Sequence, residues 1–152
     1  MVMMIDRENY RRVEGYLRSY QKNTARLEQL RAELRESKAG SDIHAQDYSG
    51  RLKAVAGGAD PVGSYVQRVM SLEHRISVLE RYTQPVSDLR EDLRNSPDRA
   101  SHNLLLILEQ HYLAGVAVSR LLEVTGWNRS TFYSRRLSLV SLAVSYFVEE
   151  KY

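Results

Sequence analysis

The sequence predicts an all-α fold, built from long coiled-coil-like helices followed by a smaller C-terminal helical domain. Three observations lead there. Apolar residues recur at steps of three and four through two long charged segments, which is the period of one helix face. No segment shows the strict alternation of a half-buried strand. After Ser96-Pro97-Asp98 the composition shifts to nearly continuous apolar runs, which suits helices buried on more than one side. At 152 residues with 43% apolar content, the chain has room for one domain plus an extension, and enough apolar surface for a core.

The first long helix is expected within residues 1–38, from about Asp6 to Lys38. Its stripe is Tyr10, Val13, Leu17, Tyr20, Leu27, Leu30 and Leu34, and Thr24 stands where the stripe would continue. Such a helix would be about 50 Å long. A narrow stripe on so long a polar helix reads as a coiled-coil seam. Residues 39–63 hold five of the eight glycines and Pro61. No helical period survives there, so the segment reads as a Gly-rich linker or loop, a mobile linker by default with a functional loop as the alternative. The second long helix covers residues 64–96, with the stripe Tyr65, Val69, Leu72, Ile76, Leu79, Val86, Leu89 and Leu93, and Thr83 in its gap. Pro85 is expected to kink or split this helix near Gln84. The two stripes suit either each other or a second subunit.

Residues 97–152 form the last domain. Ser96-Pro97-Asp98 is a helix stop followed by a helix start. The next helix carries the apolar run Leu104 to Leu108 and should end at Ala114-Gly115. A short helix over Ala117–Val124, a turn at Thr125-Gly126-Trp127, and a last helix from Arg129 to near Glu149 follow. The last helix is too apolar to lie alone on a surface. One side should pack on Leu104 to Leu108, the other on the long helices or a partner subunit.

A short helix, a tight glycine turn and a second helix make the helix-turn-helix arrangement. Gly126 supplies a residue that tolerates positive φ. Trp127 is the apolar plug between the helices, Asn128 the N-cap, and Phe132 the core anchor. With Phe132 inward, Leu139, Ala143 and Tyr146 also point inward, whereas Ser130, Ser134, Leu137 and Ser141 point away. Thr131 and Tyr133 lie on the flanks, and Arg129, Arg135 and Arg136 on the shoulders. Small polar residues let a helix sink into a major groove and meet bases or phosphates. Guanidinium groups at its edges can clamp phosphates. Between Ala117 and Leu137, Arg120, Arg129, Arg135 and Arg136 face a single acid, Glu123; this local +3 equals the net charge of the whole chain. The expected DNA-binding set is therefore Arg129, Ser130, Tyr133 and Ser134 for bases or register, Thr131 beside them, and Arg120, Arg135 and Arg136 for phosphates.

The stretches Leu108-Glu109-Gln110-His111-Tyr112-Leu113-Ala114-Gly115, Leu121-Leu122, Thr125-Gly126-Trp127 and Arg129-Ser130-Thr131-Phe132-Tyr133 resemble the region-4-like helix-turn-helix of sigma factors. More closely, the chain is similar to small late-gene transcription regulators of phages in Gram-positive bacteria, of the ArpU/RinA type. Those proteins share the layout of a long helix, a Gly-rich break after a Tyr-Ser stretch (here Asp47-Tyr48-Ser49-Gly50 and Gly57-Gly58), a second long helix and the helix-turn-helix. The chain departs from that pattern at Leu122, where a small alanine is usual, at Thr125, where a leucine is usual, and at Arg135, where an apolar residue is usual. The resemblance implies a phage or mobile-element activator of late or packaging genes, working in the host bacterial cytoplasm, with host RNA polymerase as a further partner.

Other chemistry finds little support in the residues. The chain has no cysteine, which excludes disulfides, thiol nucleophiles and thiolate metal sites. His44, His74, His102 and His111 form no i, i+4 pair, so no metal site is expected. The carboxylates alternate with Arg and Lys and read as solvated i, i+4 pairs rather than an acid/base couple. His111, at a helix end, reads as a charge favourable to the helix dipole. No nucleotide-binding or nucleophile-elbow motif occurs. Neither an enzyme nor a cofactor is expected. No run reaches the length of a membrane span, and the start of the chain does not read as a signal peptide. The expected partners are double-stranded DNA and a second copy of the chain, with the function a sequence-specific transcriptional regulator. A small terminase subunit for DNA packaging and a helical protein-binding adaptor remain as alternatives.

Overall fold

The computed structural model describes residues 6–51 and 61–148. Among these residues every element is helical: α1 (Arg7–Arg51), α2 (Pro61–Asn95), α3 (Arg99–Leu106), a π-helix (Ile107–Leu113), α4 (Val118–Thr125) and α5 (Arg129–Val148). The expected linker over 39–63 is helical up to Arg51 and again from Pro61. An isolated glycine costs a helix only about 1 kcal/mol relative to alanine, so Gly40 and Gly50 do not end α1. Pro61 stands at the first helical position, where a missing N–H costs no hydrogen bond. The rest of that linker, residues 52–60, lies outside the described residues.

The chain forms two compact units, Met1–Asn23 with Arg81–Tyr152, and Thr24–Glu80. In the second unit α1 and α2 lie antiparallel. Leu27, Leu30, Leu72 and Ile76 are buried together, with Leu34 and Leu79 packed against them. Arg31 pairs with Glu80 at 3.0 Å and Lys38 with Glu73 at 3.9 Å. These pairs are about half exposed and set the register more than the stability. Both stripes are thus consumed within one chain here, so Leu72 and Ile76 offer no seam to a second copy.

The larger unit holds the other halves of the stripes. Val13 and Leu17 from α1, and Val86, Leu89 and Leu93 from α2, pack with Ile107, Leu108 and Leu121 and with Phe132, Leu139, Val140, Ala143 and Phe147 of α5. Tyr16 stacks on Tyr82 and on Phe147, with ring centroids 4.6 and 5.1 Å apart. Much of the apolar face of α5 is therefore covered from within this chain, while Leu137 and Leu142 stay exposed. Pro85 does not split α2, which runs through it unbroken. Its missing N–H leaves the carbonyl of Arg81 without its intrahelical donor, and burial of Pro85 beside Val86 and Leu89 offsets that loss.

Polar links between helices complete this unit. The Tyr112 hydroxyl donates to Glu14 at 2.7 Å, and Glu14 also pairs with Arg18 at 3.6 Å. Arg90 and Arg94 of α2 converge on Glu109 at 3.1 and 3.3 Å. The Tyr146 hydroxyl donates to Asp92. Four of the six described ion pairs thus tie one helix to another, and only Glu14–Arg18 has the expected i, i+4 spacing. The reason is geometric, because helices that pack closely bring their flanking charges within reach of each other.

The helix begun by α3 changes its winding at Ile107. The wider turn ends with the Ala114 N–H donating to the Glu109 carbonyl at 2.9 Å and the Val116 N–H to that of Gln110 at 2.8 Å. Gly115 follows with φ of 73°. This ending turns Ile107, Leu108, His111, Tyr112 and Leu113 all into the core. His111, in the last turn of the π-helix, is buried rather than displayed to solvent. Its Nδ1–H donates to the Val116 carbonyl at 3.0 Å, its Nε2 is buried without a partner, and its ring meets the Phe132 ring edge-on at 5.5 Å. It is a packing and hydrogen-bonding group beneath α5.

Candidate nucleic-acid interface

The turn between α4 and α5 is held by three residues. Gly126 adopts φ of 75°, a left-handed conformation that favours glycine, and its N–H donates to the Leu122 carbonyl at 2.9 Å. The Thr125 hydroxyl donates to the Leu121 carbonyl at 2.6 Å and accepts the Trp127 N–H at 3.2 Å. Asn128 Oδ1 accepts the Thr131 N–H at 2.8 Å, the N-cap expected from the sequence. In the sequence Thr125 is a turn residue with no assigned role; its hydroxyl makes it a second clasp on the turn.

Phe132 is fully buried and fixes the rotation of α5. Leu139 and Ala143 follow it into the core, and Tyr146 is half-buried. Arg129, Ser130, Tyr133, Ser134 and Leu137 are all exposed, with Ser130, Ser134 and Leu137 on the side opposite Phe132. Thr131 is half-buried on the flank. Ser130, Ser134 and Leu137 are thus exposed on the side that phase turns outward, Tyr133 is exposed on its flank and Arg129 on its shoulder. The whole of α5 contains three arginines and no acid.

The other arginines are placed differently from one another. Arg120 lies on α4, fully accessible and 3.5 Å from Glu123, with both side chains 70% exposed; so exposed a pair is readily broken. Arg135 lays its guanidinium over the Trp127 ring, 4.4 Å from the centroid. Arg136 lies over the Tyr133 ring at 4.8 Å and beside Tyr10, whose phenol is raised by burial against the pull of that charge. Both guanidinium groups are half-buried, and one nitrogen of each is buried without a hydrogen-bond partner. They are less available to an outside anion than helical phase suggested, because a flat, weakly hydrated guanidinium gains by covering a ring.

Two exposed apolar residues adjoin this face: Leu137, 51% exposed, and Val124 at the end of α4, 70% exposed. Phase alone put Leu137 outward, but its apolar character gave no reason to place it in a site; nothing in the sequence singled out Val124. Beyond Leu137, α5 walls an open groove of about 730 Å³ with Arg7 and Tyr10 of α1. Among the described residues no three His, Asp or Glu side chains gather as a metal site, and no helix is long and apolar enough to cross a membrane. Compared with family models, curated proteins and solved structures, the chain matches none.

Proposed function

We propose that α4, the Gly126 turn and α5 act as a helix-turn-helix, that α5 enters the major groove of double-stranded DNA, and that the protein regulates transcription from the sites it selects. The observation that carries this reading is the outer face of α5. Arg129, Ser130, Tyr133, Ser134 and Leu137 are exposed together, with no acid anywhere on the helix. An acid-free face of hydroxyls with a guanidinium at its first turn suits groove insertion. A helix whose rotation is locked by Phe132 and whose start is fixed by Gly126 and Asn128 meets DNA without first having to order. Arg120 on α4 stands where a phosphate could replace its exposed partner Glu123. In this reading Arg135 and Arg136 chiefly hold Trp127 and Tyr133 in place. The likeness to phage late-gene regulators makes host RNA polymerase the partner through which bound protein would act, and a second copy would supply the second half-site.

The test is selection of duplexes from a random pool by the purified chain, followed by binding over a salt series. Arg129→Ala should lose about 1–3 kcal/mol on the selected site and far less on random duplex. Failure of the parent protein to retain any duplex at low salt would overturn the reading. A protein-binding adaptor is the second reading, favoured by the exposed stripe Val62, Val66 and Met70 along α2.

A further inference from the structure

We infer that the motif read by α5 is built from a guanine and from thymines recognised by their 5-methyl groups, within about three or four base pairs. The inference rests on the major-groove reading above and deepens it. Its ground is what the helix offers and what it lacks. No Asn, Gln, Asp, Glu, Lys or His occurs between Arg129 and Val148. Adenine is read best by a side-chain amide, and the cytosine amino group by a carboxylate. Neither is present, so the helix has no strong partner for either base.

What remains is a guanidinium, hydroxyls and apolar surface. Guanine presents two acceptors, O6 and N7, that match a guanidinium fork. Of the three arginines of α5, two lie over the rings of Trp127 and Tyr133, which leaves Arg129, exposed on the first turn. Leu137 is 51% and Tyr133 41% exposed on the same face. Inside a groove such surface needs an apolar partner, and the thymine methyl is the apolar group that base edges present there. The hydroxyls of Ser130 and Ser134 can serve several bases and add little discrimination. From Ser130 to Leu137 the helix rises about 10 Å, or about three base-pair steps. Arg129 and Leu137 therefore bracket a short motif, with Tyr133 between them.

The experiment uses the full-length chain and a duplex it selects from a random pool. The duplex is then resynthesised with deoxyuridine replacing thymine one position at a time, which removes only the methyl group. One or two positions should show binding weakened about fourfold, the value of one buried methyl-sized group. At one of these positions Leu137→Ala, checked for native helicity by circular dichroism, should bind the thymine and uracil forms of the duplex alike, and Tyr133→Ala should do so at the other where there are two. Replacing the motif's guanine by 7-deazaguanine should weaken the parent and leave Arg129→Ala unaffected. Equal binding of every uracil duplex by the parent overturns the inference, as does a thymine preference undiminished at every sensitive position in both Leu137→Ala and Tyr133→Ala. Those outcomes leave DNA binding itself standing. If the chain selects no duplex at all, the proposed function falls and this inference falls with it.

Discussion

Replacing Tyr112 by Phe removes one hydroxyl and no packing. That hydroxyl donates to the Glu14 carboxylate at 2.7 Å and joins the π-helix to α1. A hydrogen bond to a charged group contributes about 1.5–3 kcal/mol. The lower end applies, because Glu14 keeps Arg18 at 3.6 Å and its side chain is 18% exposed, so the variant leaves no orphaned charge. Tyr112→Phe should therefore lose about 1.5 kcal/mol near neutral pH, which lowers Tm by about 3–6 °C for a chain of this size. The pH dependence gives a sharper mark. Burial, then the hydrogen bond that the hydroxyl donates to Glu14 and the charge of that carboxylate, hold the Tyr112 phenol far above its ordinary value. A phenol raised in the folded state stays protonated there while its unfolded counterpart ionises near pH 10. Its contribution is thus complete below about pH 10 and declines above it, by about 1.4 kcal/mol per pH unit. The gap between parent and variant should close near about pH 11. Urea unfolding followed by circular dichroism, at one protein concentration and several pH values, measures it. A gap that stays constant to about pH 11, or no gap at neutral pH, would refute the reasoning.

Three further expectations concern the turn and α5. Asn128→Ala should cost about 1 kcal/mol through loss of the N-cap, read from urea midpoints, while Asn128→Asp should keep most of it. At Gly126 an added Cβ would meet nothing within 4 Å, but φ is 75°; Gly126→Ala should therefore lose about 1–2 kcal/mol from backbone strain alone, and Gly126→Asn less. Trp127 is the sole tryptophan of the chain, so Arg135→Ala should uncover its ring and shift the protein's tryptophan emission to longer wavelength, with about 0.5–1 kcal/mol of stability lost; unchanged emission would show that the guanidinium does not cover the ring.

Periodicity and end signals carried much of the fold. The stripe of α1 from Tyr10 to Leu34 and that of α2 from Tyr65 to Leu93 were legible because steps of three and four can bury only on a helix. The boundaries at Ser96-Pro97-Asp98, Gly115, Gly126 and Asn128 were legible for a related reason. A missing donor, a left-handed φ and a side-chain cap are local requirements that a few residue types meet. The outward face of α5 followed from Phe132 and one angle per residue.

Tertiary packing decided the rest. The sequence left open whether the stripes close on each other or on a second copy, since a seam has the same pattern in both cases; burial of Leu27 and Leu30 with Leu72 and Ile76 resolves it within one chain. Glycines at 40 and 50 looked like a linker because their small individual penalties cannot be weighed without the helix around them. The π-helix left no signal, because one extra residue in a turn does not change which residues are apolar. The arginines of α5 were least legible. Arg129, Arg135 and Arg136 have the same chemistry and lie within eight residues of one another, yet one reaches solvent and two lie on the rings of Trp127 and Tyr133. Where a long cation comes to rest depends on which flat surface the fold places within its reach, and that is a property of three dimensions.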